Sequence, residues 1–382
     1  MARAKRLSSS EPGPATPETG GMLTIDLAAS VANWQALARH LITVECAAVV
    51  KANAYGLGLK PVAAALAKAG CKTFFVADLA EARTVRSQAR QATIYVLHGF
   101  TPNWGEAIIS LNVRPVINSA TELAEWDAFT SARSWHGGAA LHVDTGMNRL
   151  GITVEEAVAL APRVQTENHG ISLLLSHLAC ADTLDHPLNE RQVQLFRELR
   201  MLYPGIPASL ANSSGIFLGN AAHFDLARPG AALYGVNPTP GRPNPMKAVV
   251  ELAGPILQIR MVPRDQTIGY GATWTAKRNT RIAVIALGYA DGLLRAGGAS
   301  DDRAGGAAIV AGKRCPIVGR ISMDLVCIDI TDLPEGAVRR GDFATMIGGE
   351  LTVDEVAAIA GTIGYEILTR LGPRCHLTYR GG

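Results

Sequence analysis

From residue 22 to about residue 235 the chain repeats one pattern, a short apolar or β-branched run followed by helical periodicity. The runs are Leu23–Ile25, Cys46–Val50, Thr73–Val76, Thr93–Leu97, Pro115–Ile117, Ala139–Val143, Ile171–Leu175 and Ala208–Leu210. After the first of them Asp26 is placed to cap a helix. Leu27, Val31, Trp34, Leu37 and Leu41 then recur at steps of three and four, as one face of a helix requires. Ser119 with Glu122, and Thr153 with Glu156, have the spacing of a capping box. Parallel strands can be joined only by crossovers, so regular β-then-α alternation predicts a parallel α/β fold. Eight such units within roughly 200 residues suit a TIM (β/α)8 barrel better than an open sheet.

The pattern changes near residue 240. Pro238, Pro240, Pro243 and Pro245, with Gly241, read as a linker. Strand-like runs follow without long helices between them: Ile256–Val262, Ile282–Leu287, Ala308–Val310 and Leu325–Ile330. Residues 297–306 read as an exposed loop. Thr352–Leu371 reads as a single helix, opened by Thr352 and Glu355 at capping-box spacing. The expected organisation is a tail at 1–21, a barrel at 22–245 and a mainly-β domain at 246–382. A chain of 382 residues, 48% hydrophobic and 18% charged, is long and apolar enough to build both cores.

The formal net charge is only +3, with no long basic run, so nucleic acid is not an expected partner. No apolar stretch approaches the roughly 18 residues of a membrane helix. The first residues carry Arg3, Lys5 and Arg6 but no apolar segment behind them, which reads as a disordered tail and not a secretory signal. The six cysteines are scattered, with no C-x-x-C pair, as expected of reduced thiols in a cytoplasmic protein.

The stretch from Ala48 to Gly58, A-V-V-K-A-N-A-Y-G-L-G, runs an apolar strand straight into Lys51. Barrel chemistry sits at the C-terminal ends of strands. A lysine there is partly desolvated, which lowers its pKa and suits it to a Schiff base; the plainer reading is a surface lysine. Gly56 and Gly58 do not open a dinucleotide loop, because the third glycine is replaced by Pro61. His177, Cys180 and Asp182 lie close in sequence, but without H-E-x-x-H or paired thiolates no metal site is expected. Ser213 and Arg228-Pro229-Gly230-Ala231 come late in the βα series, where barrels often build a phosphate site. Tyr270 and Tyr289 each sit beside glycines in the second domain.

Five segments, taken in order, resemble the alanine racemase family. They are the Lys51 stretch, V-D-T-G-M-N-R-L-G at 143–151, R-P-G-x-x-L-Y-G at 228–235, G-Y-A-D-G at 288–292 and G-R-I-S-M-D at 319–324. The resemblance implies a pyridoxal phosphate (PLP) enzyme, a homodimer in which each site is completed by the other subunit's β domain, and a role in supplying D-alanine for peptidoglycan. It implies that Lys51 carries the cofactor and serves as one base, with Tyr270 of the other subunit as the second. Arg228 would meet the ring nitrogen, while Tyr55, Ser213, Gly230, Ala231 and Tyr365 would bind the phosphate. Arg149 and His177 would line the ring. Arg149 and Met323 would hold the substrate, with Tyr289 narrowing the entrance.

Two positions depart from the family pattern. His142 stands where many members carry a carbamylated lysine that pairs with the arginine equivalent to Arg149, and Ser322 stands where a cysteine is common. These leave the reaction class intact and open the question of substrate range. A serine or broad-spectrum racemase is the nearest alternative. A barrel decarboxylase would carry an acidic partner for the ring nitrogen in place of Arg228. A non-catalytic PLP carrier would lack the second domain.

Overall fold

The computed structural model describes residues 20–165, 170–372 and 374–382. The tail expected at 1–21 lies almost wholly outside the described residues.

Eight short parallel strands form the barrel. The first is a nearly continuous segment, Glu45–Cys46 and Ala48–Val49. Thr73–Val76, Thr93–Val96, Arg114–Ile117, Ala139–His142, Ile171–Leu175 and Ala208–Ser209 follow, each in parallel register with the one before. The eighth is Leu226–Ala227, which pairs back onto Glu45 and Cys46. It meets the seventh through Asp225 N–H to the Ala208 carbonyl (3.0 Å) and Arg228 N–H to the Ala211 carbonyl (2.8 Å), so the ring is closed. Thr73–Val76 and Ala139–His142 are buried at every residue, as strands sandwiched between a barrel interior and its helices must be.

The count of eight stands, but its membership differs. Met22–Asp26 is not a barrel strand. It lies in the other domain's sheet, antiparallel to Val250–Val262 and parallel to His376–Arg380. Alternation marks a strand without saying which sheet it joins. The two residues Leu226–Ala227 are too few to show a period, and they take its place in the barrel. Asp26 caps the helix Leu27–Leu41 by accepting the Ala29 N–H at 2.8 Å.

The second domain is built on the long strand Val250–Val262, which pairs with Thr280–Ile285 at one end and Phe343–Ile347 at the other. Ala307–Val310 and Lys313–Pro316 form a hairpin whose two turn residues, Ala311 and Gly312, both have positive φ, as a tight twisted hairpin demands. The helix read over 352–371 is two helices, Val353–Ile359 and Gly364–Arg370. Gly361 adopts φ +72° and Ile363 is extended, so the chain turns although the apolar spacing continues. That break lays the second helix across the mouth of the barrel. Gly56, with φ +86°, packs beneath it so closely that a Cβ would come within 2.6 Å of the Leu368 carbonyl oxygen.

Candidate active site

The C-terminal ends of the barrel strands surround a cavity of about 690 Å³, roofed by Ile363, Tyr365, Glu366 and Thr369 of the last helix region. Lys51, Tyr55, Arg149, His177, Ser213, Arg228, Gly230, Ala231 and Tyr365 all line it. Nine positions scattered over more than 300 residues thus converge on one space.

Lys51 follows the first strand and is largely removed from water. Burial, reinforced by the charge of Arg149 and opposed by Glu81, holds its amine below the usual lysine range. Arg228 is buried on the far wall. Its guanidinium donates to Ser209 Oγ and, at 2.6 Å, to the Ser176 carbonyl. One Nη also lies 3.3 Å from His177 Nδ1, which is therefore the accepting nitrogen. Burial brings Arg228 down to about 10, so it remains charged at neutral pH. Burial and then the neighbouring Arg228 and Arg149 charges push His177 well below the normal histidine range, leaving a neutral imidazole.

The other end of the cavity is a cradle of small groups. Ser213 Oγ accepts the N–H groups of Gly230 (2.9 Å) and Ala232 (3.2 Å). Tyr55 stacks at an angle on Tyr234, with ring centroids 4.8 Å apart, and Tyr365 lies 6.0 Å away. A Cβ at Gly230 would fall 2.2 Å from Tyr55 Oη, so only glycine leaves room for that hydroxyl beside the backbone. A half-buried lysine, a buried cation and a hydroxyl-lined cradle across one cavity match the three ends of PLP: its aldehyde, its ring nitrogen and its phosphate.

At His142, the departure noted in sequence, the imidazole Nδ1 lies 2.8 Å from Asn118 Oδ1. Asn118 Nδ2 donates to the Val116 carbonyl at 2.7 Å, which fixes the amide so that its oxygen faces the ring. His142 Nδ1 therefore carries the proton, and Nε2 keeps a lone pair. Asn118 was not singled out from sequence; its place directly after a barrel strand was the available signal. No ion pair joins Arg149 to a carboxylate among the described residues.

Burial first, and then the Arg228 charge, push His142 down to about 4. Above about pH 6.5 this histidine is neutral whether folded or unfolded. As the pH falls toward 4 only the unfolded chain takes up the proton, so stability is lost across that window, by about 3 kcal/mol at its acidic end. Thermal midpoints at pH 7.5 and 4.5 are expected to differ less in His142→Gln than in the parent chain. Equal differences would show that His142 does not drive the loss.

Tyr270, Tyr289 and Met323 are not in this cavity. They lie on the β domain, with relative exposures of 72%, 40% and 53%. The loops bearing Tyr289 and Met323 are joined, Tyr289 N–H donating to the Ser322 carbonyl and Ala290 N–H to the Met323 carbonyl. Among the described residues no group of three His, Cys, Asp or Glu side chains is arranged to hold a metal, and no helix is long and apolar enough to cross a membrane.

The family model described as alanine racemase, N-terminal domain matches residues 25–238, and the one described as alanine racemase, C-terminal domain matches 249–379. The chain belongs to the alanine racemase family. An alanine racemase of Methylobacterium sp. (strain 4-46) is 51% identical over 96% of this chain and 99% of its own. A catabolic alanine racemase of Mesorhizobium japonicum is 47% identical over 95% of this chain and 94% of its own. The crystal structure of alanine racemase from Bartonella henselae, with covalently bound pyridoxal phosphate, superposes with a TM-score of 0.88 at 38% identity, covering 95% of this chain and all of that one. The chain is thus an amino-acid racemase of the alanine racemase family, with the barrel and β domain that family predicts.

Proposed function

We propose that this racemase interconverts L- and D-alanine with PLP carried on Lys51, and that each active site is completed by the β domain of a second copy. The observation that carries the reading is the partly desolvated Lys51 facing the buried, charged Arg228 across one cavity. Ser213, Gly230, Ala231, Tyr55 and Tyr365 would hold the phosphate, and Arg228 the ring nitrogen. When bound, the cofactor supplies an electron sink for the charge left at Cα as its proton departs.

The chain's own residues do the rest. Lys51, with its amine held below the usual range, removes or returns the Cα proton on one face. Tyr270 of a second copy does so on the other face, so the substrate need not turn over. Tyr270, Tyr289 and Met323, exposed together on the β domain, would supply that second wall. Arg228, a fixed cation, opposes protonation of the ring nitrogen and so limits charge delocalisation away from Cα, which disfavours side reactions. His177, kept neutral, accepts from Arg228 and holds it in place.

The test is incubation of the purified protein and PLP with L-alanine and, separately, L-serine, followed by chiral chromatography. D-alanine is expected, with serine turned over far more slowly. Comparable rates would favour the broad-spectrum alternative, and no D-amino acid from either would overturn the reading. D-alanine supply for peptidoglycan is the physiological direction we favour. The relative named as catabolic supports the reverse direction, and a deletion strain that grows without added D-alanine would support it too.

A further inference from the structure

Residues 52–55, immediately after Lys51, all lie in the left-handed region. Ala52, Asn53, Ala54 and Tyr55 have φ between +53° and +56°, and none is a glycine. A Cβ makes this conformation unfavourable by about 1–2 kcal/mol per residue. Single residues of this kind are uncommon outside turns and caps, and a run of four persists only where its surroundings over-determine it. The run brings Lys51, Ala52 and Tyr55 to the same cavity wall.

Glu81 is the side chain that ties this run to the barrel. It sits in the first turn of the helix Leu79–Gln88, behind the neighbouring strand. One carboxylate oxygen accepts the Asn53 N–H at 2.8 Å, from the middle of the left-handed turn. The other accepts the Ala77 N–H at 2.8 Å, from the end of strand Thr73–Val76. Asn53 is held a second time, its Oδ1 accepting the Leu59 N–H at 2.8 Å. A carboxylate that receives one backbone N–H through each oxygen is a two-point clamp, and charge-assisted bonds are the stronger class. Neither the sequence motifs nor the roles assigned above account for it.

We propose that Glu81 is a positioning residue: it clamps the turn after Lys51 in its left-handed form and thereby aims Lys51 and Tyr55 into the cavity. The inference rests on the reading that Lys51 carries the cofactor. The charged groups acting on the Lys51 amine are Arg149, which lowers its pKa, and Glu81, which raises it; the amine in turn lowers the pKa of His177. Glu81 is the only negative one among these, and it opposes the downward pull of burial and Arg149 on Lys51. The clamp therefore also influences the basicity of the group it aims.

Glu81→Gln is nearly isosteric, but it turns one accepting atom into a donor and removes the charge. Losing one charge-assisted bond at the clamp is expected to weaken PLP binding about tenfold to hundredfold. The Lys51 amine of the cofactor-free protein is also expected to react at lower pH, read by competitive labelling and mass spectrometry. Adding Ala52→Gly to the same chain relieves the left-handed cost at one position and is expected to recover roughly fivefold of the lost affinity. Unchanged PLP affinity with an unmoved labelling profile in Glu81→Gln would overturn the proposal. So would a loss of affinity that follows a fallen thermal midpoint and is not recovered by Ala52→Gly. Borohydride trapping of PLP on a residue other than Lys51 would instead overturn the underlying reading, while the labelling profile would still report on the clamp.

Discussion

Replacing Lys51 by alanine is expected to lower racemisation by on the order of 10⁴-fold or more, because the substitution removes both the cofactor attachment and one of the two bases. The variant should also lose the borohydride-sensitive absorption of a lysine–PLP adduct. The cost to folding is expected to be small. Lys51 follows a buried strand and lines an open cavity, so truncating it removes no core packing. Midpoint of thermal unfolding, absorption spectrum and initial rate with L-alanine together check this. Residual activity above about a hundredth of the parent would mean that another group holds the cofactor. Recovery by an added small amine would separate loss of the base from loss of the site.

Tyr270→Phe is expected to lose about 10²–10⁴-fold, the range for one general acid–base group. Its more telling use is in combination with Lys51→Ala. If each site takes Lys51 from one subunit and Tyr270 from the other, two inactive homodimers can be dissociated and reassorted to restore function. A mixed dimer then holds one doubly damaged site and one intact one. Random reassortment of equal amounts should give about a quarter of parental activity. If both residues served within one chain, every site in every dimer would stay damaged and nothing would return. The exposure of Tyr270, 72%, against the enclosed position of Lys51 is the structural ground for expecting restoration.

Much of the site could be read from the sequence because barrel chemistry is tied to strand ends, and strand ends are marked by where apolar runs stop. Lys51, His177 and Ser213 each follow such a run closely, and they line the cavity together with Arg228. Tyr270, Tyr289 and Met323 were singled out through family likeness, and their own sequence neighbourhood does not place them at a cavity. Asn118 and Glu81 were missed because their importance comes from partners 24 and 28 residues away, His142 and Asn53. Spacing rules do not reach contacts of that kind. In the fold, the strand Leu226–Ala227 was hidden by its brevity. The single helix expected over 352–371 failed at Gly361, where a left-handed glycine outweighed continuous apolar spacing.

The sheet that holds Met22–Asp26 beside His376–Arg380 fastens together two segments far apart in the chain. Asp26 makes the point at atomic scale: one oxygen caps the first helix, while the other pairs with Arg380 across 354 residues of sequence. During synthesis the strand Met22–Asp26 must wait, with its parallel neighbour unmade, until residues 376–380 have been translated. The barrel's own strands pair mostly with near neighbours in sequence and can assemble earlier. Pairing of these two strands is thus a late fastening step, and a chain cut before His376 would leave an open strand edge beside the helix that leads into the barrel.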